Sequence, residues 1–595
     1  MKIKLKIDLI IVSFLALAFF IGVSSFNALT QSQNYVKWSS PDETANYYFS
    51  KKLAQTGELA SFDPAAVLGD NIVIPRSLRS DDGWIKPVSF LGIILIYGSI
   101  GSVFGIAVIP YLTPLFAAFG IIIFYLLIKK IFKSSRIALL SAFSLASFPV
   151  YIYYSVRSMF HNVLFIVLLM LGAYLFALAL GLKKEKIKIP FLTLWIGTSA
   201  WLEILAAFSA GIFSGLAIIT RTSELLWIVP SAFIIYLFYA RRLGITKAVL
   251  FLAGVFLALI PVAYWNQILY TSPIYGGYNE MNNSILDLSK TGGEIIKLTL
   301  RGRINQYQDQ FKNIAHNIFY FGFNARQSIS VFHHYILDMF PILVGGGLLG
   351  LLILFIKNCR RFRKKYLVYV LVWGALSLIL IFYYGSWKFN DNPNPNSFTI
   401  GNSYTRYWLP IYLMLLPLVS LAIVRVSKAL LFITKKTTDR IRPLIATGLE
   451  IAVLIVIMCS SLVFVLYGSE EGIANLYYNN IAERANTEKV LSLTDQNGII
   501  ITRYYDKFFF PERRVIIGTL PDDQILKATA KLVTHYPVYY YNFFLDDKAV
   551  QYLNDRKFLP YKLKMNLVNK VNGQFGLYQL SGLDTNLVPG SPKAN

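Results

Sequence analysis

Cysteine is nearly absent: two in 595 residues, Cys359 in a basic loop and Cys459 in an apolar segment, which excludes a disulfide framework and a cysteine-rich metal site. Histidine is scarce as well, with five in the chain, and neither an HxxxH nor an external DxD pattern occurs. Charge is low. Only 15% of residues are charged against 55% apolar, which excludes a set of solvated domains, a coiled coil or a disordered chain. Acids are the rarer sign, 32 against 57 basic residues, for a net charge of +25. Nucleic-acid binding does not follow from that excess, because the basic residues cluster in short loops between apolar runs, where they act as topology signals. Internal repeats and low-complexity tracts are also missing, which removes solenoids and arrays.

What is present is a series of apolar runs of membrane-spanning length. The first, about 9–29, follows Lys2, Lys4 and Lys6 and is too long for a signal-peptide core, so it reads as a retained helix with a cytoplasmic N-terminus. The run at 88–101 reads as an interfacial or juxtamembrane helix, because the cluster Lys129, Lys130, Lys133 and Arg136 then falls inside. Further crossings are expected at 106–128, 137–154, 161–181, 193–219, 225–240, 248–265, 339–356, 366–384, 408–426 and 444–467. The internal loops carry Lys183, Lys184, Lys186 and Lys188, then Arg241 and Arg242, then the dense run from Lys357 to Lys365, and finally the stretch from Arg425 to Arg442. The fold class is therefore a multi-pass α-helical membrane protein with about 11 transmembrane helices and a C-terminal extracytoplasmic α/β domain, set in a plasma membrane. Residues 1–467 form the membrane domain, with external segments 30–105 and 266–337, and residues 468–595 the terminal domain. In the latter, alternation predicts strands at 498–503, 514–518, 537–541, 562–568 and 574–580, with helices near 524–534 and 546–554. Its aromatic residues, Tyr539, Tyr540, Tyr541, Phe543 and Phe544 among them, read as strand and core packing.

Chemistry is to be sought in polar residues at costly positions. Pro41-Asp42-Glu43-Thr44 reads as a helix start, where unpaired N–H groups and the helix dipole favour a carboxylate. Such a carboxylate can serve as a base or simply cap the helix. Lys86, just before an apolar run and near Arg76 and Arg79, suits a lipid phosphate or mere snorkelling. At an outer turn, Arg157 and His161 are four apart and could share a helical face, with Asn162 next to them. Glu203 lies in an apolar context where a carboxylate is expensive and needs a polar cavity or a partner. Arg221 closes one helix, and Tyr404-Thr405-Arg406-Tyr407 opens another. Arginine forks fit phosphate and tyrosines can orient sugar hydroxyls, although Glu203, Arg221 and Arg406 serve equally as structural ion pairs. Together these residues outline one aqueous chamber at the outer leaflet.

In order and spacing, residues 1–425 resemble the C-type (GT-C) integral-membrane glycosyltransferases that use polyprenyl-phosphate sugars, in particular protein O-mannosyltransferases and the lipid A aminoarabinose transferase. The residues that carry the resemblance are Pro41-Asp42-Glu43-Thr44, Lys86-Pro87, the juxtamembrane run, the Ala-Leu-Leu at 138–140, Arg221 after Gly-Leu-Ala at 215–217, and Arg406-Tyr407 before Leu409-Pro410. The resemblance implies that Asp42 is the catalytic base with Glu43 beside it, that Lys86 contacts the carrier phosphate, and that Arg221 and Arg406 neutralise charge. It implies inverting transfer from a polyprenyl-phosphate-linked sugar to a hydroxyl acceptor, whether protein, lipid or cell-surface glycan, on the outer face of the membrane, with membrane lipids as further partners and no nucleic-acid partner. Where many relatives have an aspartate, this chain has His161-Asn162, which weakens any case for a metal held by acidic loops.

No metal is expected, with Mg²⁺ or Mn²⁺ the alternative. Asp81-Asp82, Asp546-Asp547 and His333-His334 are adjacent pairs, and neighbouring side chains on a regular element point in different directions. A lipid-carrier phosphotransferase or ligase would use the same cations without needing Asp42-Glu43. A polyprenyl-linked glycan transporter or flippase would favour broken midplane helices in paired halves. Glu203 is the one clear midplane candidate for that reading.

Overall fold

The computed structural model describes residues 7–32, 35–181, 198–278, 282–283, 319, 322–358, 364–394, 396–433, 442–468 and 470–583. It divides into two compact units: Met1–Ala28 with Phe90–Ile93 and Pro110–Leu476, and Leu29–Ser89 with Ile94–Ile109 and Tyr477–Asn595. The lysine loop at 183–188, most of the 266–337 segment and Cys359 lie outside the described residues.

Among the described residues, eight helices are long and apolar enough to cross a membrane, or up to ten if two bent pairs each count as one span. Ile7–Thr30, Ile106–Phe132, His161–Ala179, Lys364–Gly385, Leu409–Leu430 and Pro443–Tyr467 follow the hydrophobic runs closely. The expected crossing at 137–154 is instead broken into Ser135–Ser147 and Pro149–Val156, bent by 51°. Pro149 opens the second piece, where its missing N–H and fixed φ suit a first turn and cannot continue a preceding helix. Ala325–Asp338 and Pro341–Ile356 form a sharper pair, bent by 91°.

Thr222–Tyr270 runs for 49 residues, about 70 Å of helix against a hydrocarbon core of about 30 Å. The helix is interrupted at Gly244, where φ 65° and ψ 166° are non-helical, next to the loop basics Arg241 and Arg242. Its second half packs on Thr198–Thr220 through small residues. A Cβ at Gly211 would meet the backbone of Phe251 and Gly254, and one at Gly215 would meet Val255 and Ala258. This close approach takes the place of the hydrophobic drive that a bilayer does not supply. Leu91–Phe104 has 14 residues, about 21 Å, too short to cross, in keeping with an interfacial helix.

The second unit contains two sheets. A small antiparallel one joins β1 (Ser61–Phe62), β2 (Leu78–Asp81) and β3 (Trp84–Pro87) in the order β1-β3-β2. The larger one is built from β4 (Ile499–Thr502), β5 (Arg514–Ile517), β6 (Val538–Phe543), β7 (Leu563–Lys570) and β8 (Phe575–Gly582) in the order β5-β4-β6-β8-β7. Strand β4 pairs parallel with β5 and β6, and β8 pairs antiparallel with β6 and β7. These strands, and the helix Asp523–Leu532, fall where alternation and amphipathic spacing predict them. The helix Ile473–Ser492 was not anticipated.

Ala65, Ala66 and Val73 share one buried core with Ile499, Ile501, Ile516, Leu526 and Val538. The stretch before the juxtamembrane helix thus folds with the C-terminal sheet, whereas the sequence reading assigned 30–105 to the membrane domain. Apolar alternation in short strands does not reveal which distant strands will share a core.

Candidate functional site

Asp42, Glu43 and Lys86 belong to the second unit. Pro41–Thr56 is a helix with Pro41 in its first turn and both acids there, preceded by Ser40 in an extended conformation. Asp42 is partly exposed, and its Oδ1 accepts a hydrogen bond from Ser77 Oγ at 2.6 Å. Glu43 is fully buried. Ser77 has a positive φ of 65°, unusual for a side chain without an amide. It follows Arg76, whose Nε and Nη2 grip Asp506 Oδ1 at 3.1 and 2.5 Å, while its backbone N–H reaches Oδ2 at 3.0 Å. Asp506 is completely buried. Arg76 is therefore engaged inside the protein and is not a spare cation for an anionic ligand.

Lys86 lies on the β2–β3 hairpin. The turn residues Asp82 and Gly83 both have positive φ, 48° and 84°, the signature of an Asp-Gly type I′ turn that the sequence displays openly. The register sets Arg79 opposite Lys86. Both side chains converge on Asp81, Arg79 Nε at 2.8 Å from Oδ1 and Lys86 Nζ at 3.2 Å from Oδ2. Burial works against the Asp81 charge, but the two cations outweigh it and hold its carboxyl below the usual range.

The first unit gathers the arginines. Arg221 is ion-paired with Glu224 at 2.9 Å, and both are buried. Tyr384 accepts from Arg221 at 3.1 Å and donates to Glu224 Oε1 at 2.8 Å, while Trp227 Nε1 donates to Oε2. Tyr384 stacks on Tyr407 with centroids 4.4 Å apart. The Arg221 and Arg406 guanidinium groups lie 4.5 and 5.0 Å from the centroid of that Tyr407 ring. Arg406 also lies over Phe160 and donates to Ser403 Oγ at 2.8 Å, and Ser403 Oγ in turn donates to Asp391 at 2.5 Å. Asn162 Nδ2 donates to the Arg406 carbonyl at 3.1 Å. Arg221, Arg406, Tyr407 and Asn162 are thus brought together. Tyr384 and Asp391 join them without any signal in local spacing.

Other expectations change. Arg157 and His161 do not share a helical face, because Pro149–Val156 ends before Arg157 and a new helix starts at His161. The Arg157 guanidinium donates to Tyr153 at 3.0 Å and lies 5.0 Å from the Phe160 ring, and His161 Nε2 is 3.2 Å from the Phe90 carbonyl. The Tyr404 hydroxyl is committed to the Trp387 carbonyl at 2.5 Å and its ring is buried, so it is not poised to orient a sugar. Glu203 has a partner, Lys247 Nζ at 3.1 Å, which also donates to the Ala179 carbonyl at the end of His161–Ala179. Glu203 sits near the start of the helix Thr198–Thr220 and Arg221 just past its end, about 26 Å apart along the axis. It therefore belongs to a different place.

An apolar cavity of about 1750 Å³ runs through the first unit. Lys364 and Lys365 line it at the start of Lys364–Gly385, as do Lys129, Lys130 and Arg242. Tyr384, the partner of Arg221, is near the other end of the same helix, about 30 Å away. Pro410 and Ile166 line both this cavity and a small pocket bounded by Asn162, Glu224, Arg406 and Tyr407. The small pocket beside Arg406 consequently adjoins the large cavity at the end away from the lysines, with Arg221 behind its partner Glu224.

No protein-family model matches the chain, and no curated protein matches it in sequence. Among solved structures, the crystal structure of ArnT from Cupriavidus metallidurans bound to undecaprenyl phosphate is similar, with a TM-score of 0.52 at 12% identity over 96% of this chain and 97% of that one. At that identity the likeness is one of fold: a multi-pass helical membrane body with a β-containing C-terminal region, consistent with the GT-C architecture.

Proposed function

We propose that the protein is an inverting glycosyltransferase that moves a sugar from a polyprenyl-phosphate carrier to a hydroxyl acceptor on the outer face of the membrane. The observation that carries this reading is the 1750 Å³ apolar cavity, which shares Ile166 and Pro410 with a small pocket bounded by Arg406 and by Glu224, the ion-pair partner of Arg221, in a fold like that of a protein crystallised with undecaprenyl phosphate. An isoprenoid tail needs an apolar channel and its phosphate needs forked donors, and one unit offers both. Asp42 acts as general base toward the acceptor hydroxyl, with Glu43 beside it. Lys86, Arg221 and Arg406 offset the charge that grows on the departing phosphate. Eleven crossings, with the N-terminus inside and the terminal domain outside, complete the arrangement. The test is transfer from a synthetic polyprenyl-phosphate sugar by the purified protein in liposomes. Carrier movement across the bilayer without transfer would overturn the enzyme in favour of a flippase.

Lys86 is shared with Asp81, so donor phosphate must compete for it. Lys86→Ala is expected to raise the donor KM about tenfold or more and to leave the acceptor KM nearly unchanged, because the lost contact is with the charged lipid. Steady-state kinetics with both substrates varied decides it, and equal binding of a non-hydrolysable donor analogue would show that the lysine serves only the hairpin.

Transfer is also expected to survive exhaustive EDTA treatment, since lysine and arginine neutralise a monophosphate leaving group. Loss of turnover on chelation, restored by Mn²⁺ or Mg²⁺, would overturn the metal-free step.

A further inference from the structure

Residues His333–Asp338 form a π-helical turn just before the 91° bend into Pro341–Ile356. The Met339 N–H reaches back five residues to the His334 carbonyl at 3.1 Å. In an α-helix, residues five apart are about 140° apart around the axis. In a π turn, whose hydrogen bonds run between residues five apart, the wider turn brings them closer together around the axis, and such turns recur at functional sites. This local backbone change lets adjacent histidines, poor joint chelators on a regular element, address a single carboxylate. His333 Nδ1 lies 2.9 Å and His334 Nδ1 3.1 Å from the same atom, Asp338 Oδ2.

The turn is built on rigid supports. Tyr335, between the ligand candidates, is buried. Its carbonyl accepts from the Tyr412 hydroxyl at 2.9 Å and its own hydroxyl accepts from Asn392 at 3.2 Å. The His334 ring is stacked on Phe398, with centroids 3.9 Å apart and planes 18° from parallel, which sets the direction of Nδ1. The outward side is open, with side chains of His333, His334 and Asp338 59%, 34% and 53% exposed.

We propose that His333, His334 and Asp338 bind one divalent cation of the zinc class. The three ligand atoms lie within 4.8 Å of one another. Tetrahedral Zn²⁺ with bonds of about 2.0–2.2 Å needs ligand atoms about 3.4 Å apart, within reach of small rotamer changes. Two imidazole nitrogens and one carboxylate oxygen suit zinc better than magnesium or calcium, which prefer all-oxygen shells. Each imidazole would bind through a deprotonated Nδ1 and keep its proton on Nε2, and water would take the fourth position. The ion would lock the π turn at the bend. None of these residues is in the proposed transfer machinery, so this assignment stands or falls separately from it.

The experiment uses the full-length protein in detergent, purified with a histidine-free tag, stripped with chelator and titrated with ZnCl₂ by calorimetry. One saturable site with a Kd of about 1 μM or tighter is expected, with a rise in Tm on zinc addition. His333→Gln and Asp338→Asn are expected to weaken binding at least about tenfold and to abolish the zinc-dependent Tm rise, while keeping the metal-free Tm, because these two side chains are exposed. X-ray absorption of the loaded protein should show two imidazoles per zinc. No saturable binding, or equal binding by the wild type and both variants, would overturn the site and leave an ordinary histidine–aspartate contact. A variant with an altered metal-free Tm would be replaced by His334→Phe, which keeps the stacking on Phe398, tested by the same titration and against the same two outcomes.

Discussion

Replacing Asp42 by asparagine is expected to lower transfer at least about a hundredfold while the protein stays folded and still binds donor. Asparagine keeps the size of aspartate and an Oδ1 that accepts from Ser77, now 2.6 Å away. It removes only the charge able to take a proton from the acceptor. Turnover per folded molecule, with donor binding measured in parallel, checks the assignment; near-normal turnover would return Asp42 to a capping role. Glu43→Gln is expected to be milder, as for a residue that orients its neighbour. Ser77 is held in its left-handed conformation directly after Arg76, which is anchored to Asp506 in the C-terminal region. That region therefore holds the carboxylate's hydrogen-bond donor in position.

Arg221→Ala is expected to destabilise the protein by about 3–5 kcal/mol, because it leaves the buried Glu224 without its cation. Tyr384 and Trp227 would still hydrogen-bond that carboxylate, but neutral donors do not replace a charge. The double variant Arg221→Met with Glu224→Leu should recover most of the loss, since a buried pair replaced by apolar side chains of similar volume is often tolerated. Thermal unfolding of the single and double variants measures the first effect. Kinetics of the recovered double variant then separates two roles. A donor KM raised about tenfold or more would assign Arg221 to the phosphate, whereas wild-type kinetics would make it a helix pin alone.

Runs of apolar residues dictate helices wherever backbone groups must be satisfied inside a bilayer, so most of the spans and the short length of 91–104 were legible from local composition, whereas the breaks at Phe148-Pro149 and before Pro341 were not. Period-two alternation located β4 to β8 in the same way, and Pro41-Asp42-Glu43 announced a helix start. The Asp82-Gly83 pair carries the residue types of a hairpin turn, with both φ angles positive. Partnership was not legible. Glu203 looked like a costly midplane acid until Lys247 proved to be its neighbour, and Arg76 looked available until Asp506, 430 positions away, took it. Tyr384 carried no sign of its bridge between Arg221 and Glu224. Periodicity and charge placement report how a segment meets its solvent, whether lipid, water or core. Which distant polar groups satisfy one another is decided when the segments pack, because burial makes every unpaired charge or hydroxyl expensive enough to select its partner.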